Sequence, residues 1–234
     1  MGLYHSPRIV TDGLVLALDA ADANSYVSGS TTWYDLAGSN NGTLTNGPTY
    51  NNANGGSIVF DGVNDHVNLP YNSTYDFTTI SSLTWIKTPI QYTGSAFKAI
   101  ISKQSDIIFD REFNFYTYSS LSNGVIDRLH FSTSRLTSHT GFINVPGGSL
   151  SLNTWHQIGF TVGNGFLNYV LNGQIIQSTI TTGSFNATGS YDIKVGRADN
   201  NWLGNISNVL LYNRIISSTE IQQNFNALRG RFGI

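Results

Sequence analysis

Residues 155–177 carry the pattern that most limits how this chain can fold. The first run alternates Ile158, Phe160 and Val162 with less apolar neighbours, which is the two-residue period of a half-buried β-strand. After a Gly-Asn-Gly break, a second run alternates again, with apolar side chains on both faces. Asn172-Gly173 then predicts a tight hairpin, because both central residues of a type I′ turn need positive φ. A third strand follows, so the fold must contain an antiparallel sheet.

Composition excludes several classes of function. The 234 residues are 40% hydrophobic, enough for one large core, and only 11% are charged, so Asn, Ser, Thr, Gly and Tyr must build the surface. A net charge of -2 without a basic cluster argues against nucleic-acid binding. The lack of Cys excludes disulfides and thiolate metal sites. We find no apolar run of the kind that a signal peptide or a membrane span needs, so we expect no membrane partner.

The flanking segments predict further strands and one helix. A continuous apolar run marks a buried strand at residues 14–18, and shorter strand patterns lie at 57–60, 83–87, 99–103, 113–118 and 128–132. In the last strand, the spacing of Ile206, Val209 and Leu211 predicts a β-bulge near Ser207-Asn208 that keeps all three on the core face. Ser217 and Glu220 form a capping box, which predicts a helix over residues 218–228, and Gly230 is placed to end it.

Several sequence blocks occur in a recognisable order. They are residues 13–19, 33–38 with 41–43, 60–67, Trp155-His156, Leu171-Asn172-Gly173, and 204–214 followed by Glu220-Ile221. Their order resembles that of the laminin G-like, concanavalin A-like family. The resemblance implies an all-β fold, a two-sheet antiparallel jelly-roll sandwich with one short C-terminal α-helix. We therefore divide the chain into an N-terminal arm (1–12), a laminin G-like domain (13–228) and a C-terminal tail (229–234).

Acidic residues are the first candidates for chemistry, because the concanavalin A-like fold includes glycoside hydrolases, which need two carboxylates across a cleft. Of the two glutamates, Glu220 is explained by capping, and Glu112 would share one face with Asp106 and Asp110 in a regular strand. These acids equally suit an edge strand or loop, and the Glu-x-Asp-x-x-Glu pattern of the family hydrolases is absent. The histidines lack compact ligand spacing, although a Ser-His-Asp site is left open. We expect no enzyme.

Calcium is the cofactor that the polar loops favour. Ca²⁺ takes six to eight oxygens from carboxylates, amides and carbonyls, and Asp/Asn-rich loops supply them. Family members often hold one Ca²⁺ near a sheet edge, so the resemblance implies such a site, and Asp35, Asn40 and Asn41 are our candidate ligands. The alternative is that these residues only cap and turn their loop.

Aromatic residues next to amides are candidates for sugar binding, because exposed rings stack on sugars. Tyr116, Tyr118 and Trp202, the last beside Asn200 and Asn201, have the required residue types. The alternative is that they are core residues, as we expect for most of the aromatic side chains.

The C-terminal tail suggests a partner. Arg229, Arg231, Phe232 and Ile234 are our candidate docking residues, because the apolar ones have no element left to bury them. A bare domain with such an arm and tail resembles structural proteins of tailed bacteriophages. This resemblance implies a non-catalytic virion protein, a capsid decoration or fibre-associated module that binds other virion proteins through its termini. Contact with a host surface glycan and a homo-oligomer are compatible with it. A free carbohydrate-binding lectin and a glycoside hydrolase are the alternatives.

Overall fold

The structure, a computed structural model, describes residues 7–88, 96–106, 110–119, 125–137 and 142–234. This part of the chain forms sixteen strands, one α-helix and three short 3₁₀ helices, the latter at Ala53–Gly55, Ser73–Tyr75 and Arg229–Phe232. The other elements are β1 (Leu14–Asp19), β2 (Thr32–Trp33), β3 (Gly42–Thr45), β4 (Thr49–Asn51), β5 (Ser57–Asp61), β6 (His66–Leu69), β7 (Ile80–Lys87), β8 (Ala96–Gln104), β9 (Arg111–Ser119), β10 (Arg128–Ser132), β11 (Phe142–Asn144), β12 (Trp155–Gly163), β13 (Phe166–Leu171), β14 (Gln174–Ile180), β15 (Ile193–Val195), β16 (Leu203–Tyr212) and α1 (Ser218–Leu228).

The strands form two antiparallel sheets. In sheet A the order is β14-β13-β12-β7-β16-β5-β4, and β1 also pairs with β16. In sheet B the order is β11-β10-β9-β8-β15-β6-β3-β2. The predicted two-sheet jelly-roll sandwich with one C-terminal helix is therefore confirmed.

The core lies between the sheets and is rich in aromatic rings. Phe160 of sheet A contacts Phe115 and Phe131 of sheet B, with ring centroids 5.1 and 4.8 Å apart. The hydroxyl of Tyr169 in β13 accepts a hydrogen bond of 3.1 Å from the amide of Phe131 in β10. Burial of these rings is the main force that holds one sheet against the other.

The hairpin and bulge predictions are confirmed. Asn172 and Gly173 have φ values of 47° and 79°, as a type I′ turn requires. The register between β16 and β7 shifts between Ile206 and Asn208, and the Asn208 Oδ1 atom accepts a 3.1 Å hydrogen bond from the amide of Trp85. Because of this bulge, Ile206, Val209 and Leu211 are all fully buried.

The helix spans the predicted residues 218–228, and only the role of Gly230 differs from the prediction. Ser217 and Glu220 form the capping box, with each side chain accepting from the other's backbone amide. The α-helix ends at Leu228, and the chain continues in the 3₁₀ helix to Phe232, so Gly230 does not stop the helical path. The left-handed residue is Gly233, with φ 74°.

The tail packs on its own domain. Phe232 is only 8% exposed, and its ring lies 4.3 Å from that of Trp85 and 4.6 Å from that of Trp155. The argument that Phe232 has no element to bury it is therefore wrong, because sheet A provides two indole rings. Arg231 also forms a two-pronged ion pair with Asp19, at 2.8 and 2.6 Å. Arg229 and Ile234 are exposed.

The described end of the N-terminal arm packs on α1. The amide of Val10 donates to Asn224 Oδ1 at 2.8 Å, and Gln223 donates to the carbonyl of Arg8 at 2.8 Å. Residues 1–6 of the arm lie outside the described residues. Within the described part, no helix has both the length and the apolar character needed to cross a membrane.

Candidate functional site

The outer faces of the two sheets differ in what covers them. On sheet A, Leu83 and Trp85 point outwards from β7 and are buried beneath Ile221 and Phe225 of α1 and Phe232 of the tail. On sheet B, the outward positions of the central strands carry polar and aromatic side chains. The outer face of sheet B is therefore the candidate location of a site.

Strand pairing brings the outward residues of sheet B together, because directly paired residues share a face. Tyr116 of β9 lies opposite Ala99 of β8 and His130 of β10. One step along, Tyr118 lies opposite Phe97 and Arg128. The residue before Tyr116, Phe115, points into the core.

Three rings on this face form an aromatic cluster, which we define as Phe97, Tyr116 and His130. The ring centroid of Phe97 lies 5.4 Å from that of Tyr116 and 5.3 Å from that of His130, and both contacts are edge-on. Tyr116 and His130 are 5.8 Å apart and nearly parallel, with an interplanar angle of 30°. The flanking Tyr118 ring lies 4.8 Å from Phe97.

A β-bulge in β9 puts a charged group beside this cluster. The register of β9 against β8 shifts between Lys103 and Gln104, so Glu112 has no opposite residue. A bulge turns neighbouring side chains to the same side. Glu112 is accordingly fully buried with Phe113, while Arg111 lies on the outer face and donates to Asp199 Oδ2 at 2.8 Å.

The loop that follows β15 supplies the second wall of the site. Its Asp199 carboxylate lies 3.5 Å from the Tyr116 hydroxyl and accepts a 3.3 Å hydrogen bond from Gln104. The loop is tied to the sheet by a 3.3 Å bond from the amide of Ala99 to the carbonyl of Asn200. Burial and the nearby Asp199 anion raise the pKa of Tyr116 to about 12, so its hydroxyl stays protonated at neutral pH.

These residues enclose a cavity of about 160 Å³, which we call the sheet B groove. It is lined by Phe97, Arg111, Tyr116, His130, Ser132, Asp199 and Asn200. The rings offer apolar faces, and the guanidinium, carboxylate, amide and hydroxyl groups offer donors and acceptors beside them. Such a mixture suits a small, hydroxyl-rich ligand with one apolar face.

The three residues that the sequence predicts for sugar binding lie in different places. Tyr116 lines the groove and Tyr118 flanks it. Trp202 is fully buried in the core, so the expectation that it is exposed beside Asn200 and Asn201 is wrong. The chain turns inwards at Trp202, whose amide donates to the carbonyl of Gly196 at 2.8 Å.

Most groove residues have no signal in the sequence. The alternation of residues 113–118 predicts a shared face for Tyr116 and Tyr118, but the role of Arg111 depends on the bulge. Asp199 comes from a loop 83 residues away from Tyr116.

The acidic residues do not form a facing pair. Asp106 contacts Lys194, whereas Asp110 and Glu112 both contact the guanidinium of Arg135. The regular strand that would align them is not formed, because Ser105 donates to the carbonyl of Asp110 across the turn between β8 and β9. Residues 107–109, which connect β8 to β9 in the sequence, lie outside the described residues.

The candidate calcium ligands share one loop. Asp35 Oδ1 accepts from the amides of Ala17 and Ala37 at 2.9 Å each, and its Oδ2 accepts from Asn40 at 3.2 Å. Asn41 Oδ1 accepts from the amide of Asp35 at 3.0 Å. These bonds cap the outer edge of β1, and in the described ranges no three His, Asp or Glu side chains cluster as a metal site would require. Calcium at Asp35, Asn40 and Asn41 stays a prediction.

Comparisons with known proteins agree with the fold. A laminin G family model, described as the Concanavalin A-like lectin/glucanases superfamily, matches residues 61–222. No curated protein gives a significant sequence match.

Several solved structures share this architecture. A Trypanosoma rangeli sialidase mutant displaying trans-sialidase activity has a TM-score of 0.66 and 14% identity, over 96% of this chain and 34% of the sialidase. Domain 4 of AbnA, a GH43 extracellular arabinanase from Geobacillus stearothermophilus in complex with arabinotriose, has a TM-score of 0.61 and 15% identity, over 90% of this chain and 97% of that domain. The binding domain of Paraclostridial Mosquitocidal Protein 1 has a TM-score of 0.65 and 16% identity, over 93% of this chain and 52% of that one. The chain spans about a third of the sialidase, and these identities show the fold alone.

Proposed function

The chain belongs to the Concanavalin A-like lectin/glucanases superfamily, and on this premise we propose that it is a non-catalytic carbohydrate-binding domain. The sheet B groove is its binding site. The observation that carries the proposal is the aromatic cluster beside the Arg111–Asp199 pair, on the sheet face that α1 leaves uncovered.

Each part of the groove has a role that sugar chemistry requires. The half-buried rings of Phe97 and His130 offer surfaces on which the C–H face of a sugar packs. Asp199 and Asn200 are exposed and point polar atoms at the same space, so they accept from and donate to ring hydroxyls. Arg111 holds the Asp199 carboxylate in place, so less side-chain entropy is lost when a sugar binds.

One structural neighbour supports a carbohydrate ligand. The alignment covers 97% of domain 4 of the arabinanase AbnA and 90% of this chain, and that domain is in complex with arabinotriose. We propose by analogy that a neutral oligosaccharide fits this chain as well.

The arrangement of carboxylates supports binding without hydrolysis. A glycosidase needs one carboxylic acid and one carboxylate on opposite sides of the scissile bond. Here Glu112 is fully buried, and Asp110 shares its cation, Arg135. In the groove, Asp199 is the lining carboxylate and it is paired with Arg111.

A glycan array followed by calorimetry tests the proposal. We expect the isolated protein to bind at least one class of neutral oligosaccharide without releasing reducing ends from it. Absence of any hit, or hydrolysis that disappears in Glu112→Gln, would contradict a non-catalytic sugar-binding role.

A virion role is the second function that we propose, as the setting in which this binding operates. Residues 8–10 and the tail both pack near α1 on sheet A, so attachment through either end would leave the groove facing away from the particle. The exposed Arg229 and Ile234 are the remaining docking candidates. Immunogold labelling of phage particles should detect the wild-type protein and lose the signal for the doubly substituted Arg229→Ala, Ile234→Ala protein; equal labelling would rule out tail docking.

A further inference from the structure

One long segment of the chain is free of formal charge. Residues 136–191 contain no Asp, Glu, Lys or Arg, although charged residues are spread over the rest of the sequence. This segment includes β14, the outermost strand of sheet A. Among the described residues, no strand pairs with the far side of β14.

β14 differs from the other edge strands of the described sandwich. The edges β2, β4 and β11 are two or three residues long, which is one way in which proteins avoid edge pairing. Residues 35–36 cover the free edge of β1. The amide of Ala17 donates to the Asp35 carboxylate, and the carbonyl of Ala17 accepts from the amide of Leu36. β14 has seven residues, none charged and none proline.

The far end of this edge also exposes apolar surface. Phe166 of β13 and Ile180 of β14 are directly paired, so their side chains share a face. They are 50% and 73% exposed. A β-bulge at Ile176 disturbs the strand near its start, but the register continues unbroken over residues 177–180.

We propose that β14 is a homodimer interface, on which a second copy of this chain adds its own β14 antiparallel about a two-fold axis. In such an interface residue i of one copy contacts residue j of the other and j contacts i, so charges near the two-fold axis lie close to their own copies. The uncharged strand avoids this repulsion. A strand from a different protein would be selected by complementary charges, and β14 offers none. The pairing extends sheet A and also covers Phe166 and Ile180.

Sedimentation and light scattering over a concentration series test the interface, and the result does not depend on sugar binding. We expect the wild-type protein to pass from monomer to dimer between about 1 and 300 µM. Ile180→Lys should weaken dimerisation at least tenfold, because it replaces an exposed apolar side chain on the edge strand with a lysine, which disfavours edge pairing. Val63→Lys is the matched control, since Val63 is 69% exposed and lies in the loop between β5 and β6, away from β14. This variant should dimerise like the wild type.

Hydrogen exchange gives an independent readout at the same concentrations. The amides of residues 174–180 should exchange more slowly in the dimer than in the Ile180→Lys monomer, with similar melting temperatures for the two proteins. A wild-type protein that stays monomeric, equal dimerisation of the two lysine variants, or growth into open-ended oligomers would each overturn the proposal.

Discussion

The ring of Phe232 stacks on the indole of Trp85, with centroids 4.3 Å apart and planes inclined by 26°. Trp85 lies on β7 and faces away from the core between the sheets. Phe232 lies two residues from the C-terminus. The contact therefore makes the last residues of the chain part of the structure that covers sheet A.

Loss of this stack should destabilise the domain. Phe232→Ala removes a buried aromatic side chain from between Trp85 and Trp155, and we expect the free energy of unfolding to fall by about 3 kcal/mol. Ile234→Ala, at an exposed residue two positions further on, should change it by less than about 0.5 kcal/mol. Urea unfolding followed by tryptophan fluorescence measures both. Equal stability of the two variants would mean that the tail is not part of the folded unit.

Substitutions in the groove should weaken sugar binding without unfolding the protein. Asp199→Asn loses the ion pair with Arg111, and His130→Ala loses a ring of the aromatic cluster. We expect each to raise the dissociation constant at least tenfold, about 1.4 kcal/mol, against any oligosaccharide that the wild-type protein binds. Tyr34→Ala removes an exposed aromatic residue outside the groove and serves as the control in the same calorimetric titration. Unchanged affinity in both groove variants would move the site elsewhere.

The stabilisation that Glu220 gives to the helix cap should be lost as the pH falls into the acidic range. Arg214 and the Ser217 amide lower the pKa of Glu220 from its ordinary 4.5 to about 2. A carboxylate with a lowered folded pKa stabilises the fold above its unfolded pKa, and the effect is lost as pH falls towards the folded value. Glu220→Gln should therefore cost about 1 kcal/mol at pH 7, and the difference from wild type should vanish near pH 2. Denaturant unfolding at pH 7, 4 and 2.5 measures this, with Asp22→Asn as the control; a constant difference would contradict it.

A buried lysine should make stability rise with pH in the alkaline range. Lys103 is fully buried, and its ammonium donates to the carbonyls of Tyr75 and Ala187 at 2.7 and 2.9 Å. Burial lowers the pKa of Lys103 below its ordinary 10.5. Between the two values the unfolded chain binds more protons than the folded one, so Lys103 favours folding more as pH rises.

The measurement is the stability difference between wild type and Lys103→Met from pH 7 to 10. We expect this difference to shift steadily in favour of the wild type. Lys87→Met, at the partly exposed end of β7, controls for the loss of a lysine. A flat or reversed trend would mean that the pKa of Lys103 is not lowered in the folded protein.

Local rules predicted much of the fold. The Asn172-Gly173 turn, the capping box at Ser217 and the bulge beside Asn208 all depend on residues that are close in sequence. Their backbone conformations follow from φ preference, capping chemistry and apolar spacing. The residues adjacent in sequence were sufficient to predict these elements.

The site depended on distant partners and was mostly missed. Arg111 reaches the groove only because a bulge at Glu112 changes the alternation of β9, and Asp199 reaches it from the loop after β15. The polar neighbours of Trp202 suggest an exposed side chain, and the position of Phe232 in the tail suggests an unburied one. Both side chains are nevertheless buried by residues far away in sequence. Burial of such residues depends on tertiary packing, which the spacing of apolar residues along the sequence does not predict.

The uncharged segment around β14 also affects how this protein can be mapped. Trypsin cuts after Lys and Arg, and between Arg135 and Lys194 the chain offers neither. Digestion therefore returns β11 to β14 in a single large peptide, residues 136–194. Protease footprinting at the dimer edge must accordingly use an enzyme that cleaves at aromatic or aliphatic residues, such as Phe166 and Ile180, the two residues that the interface would shield.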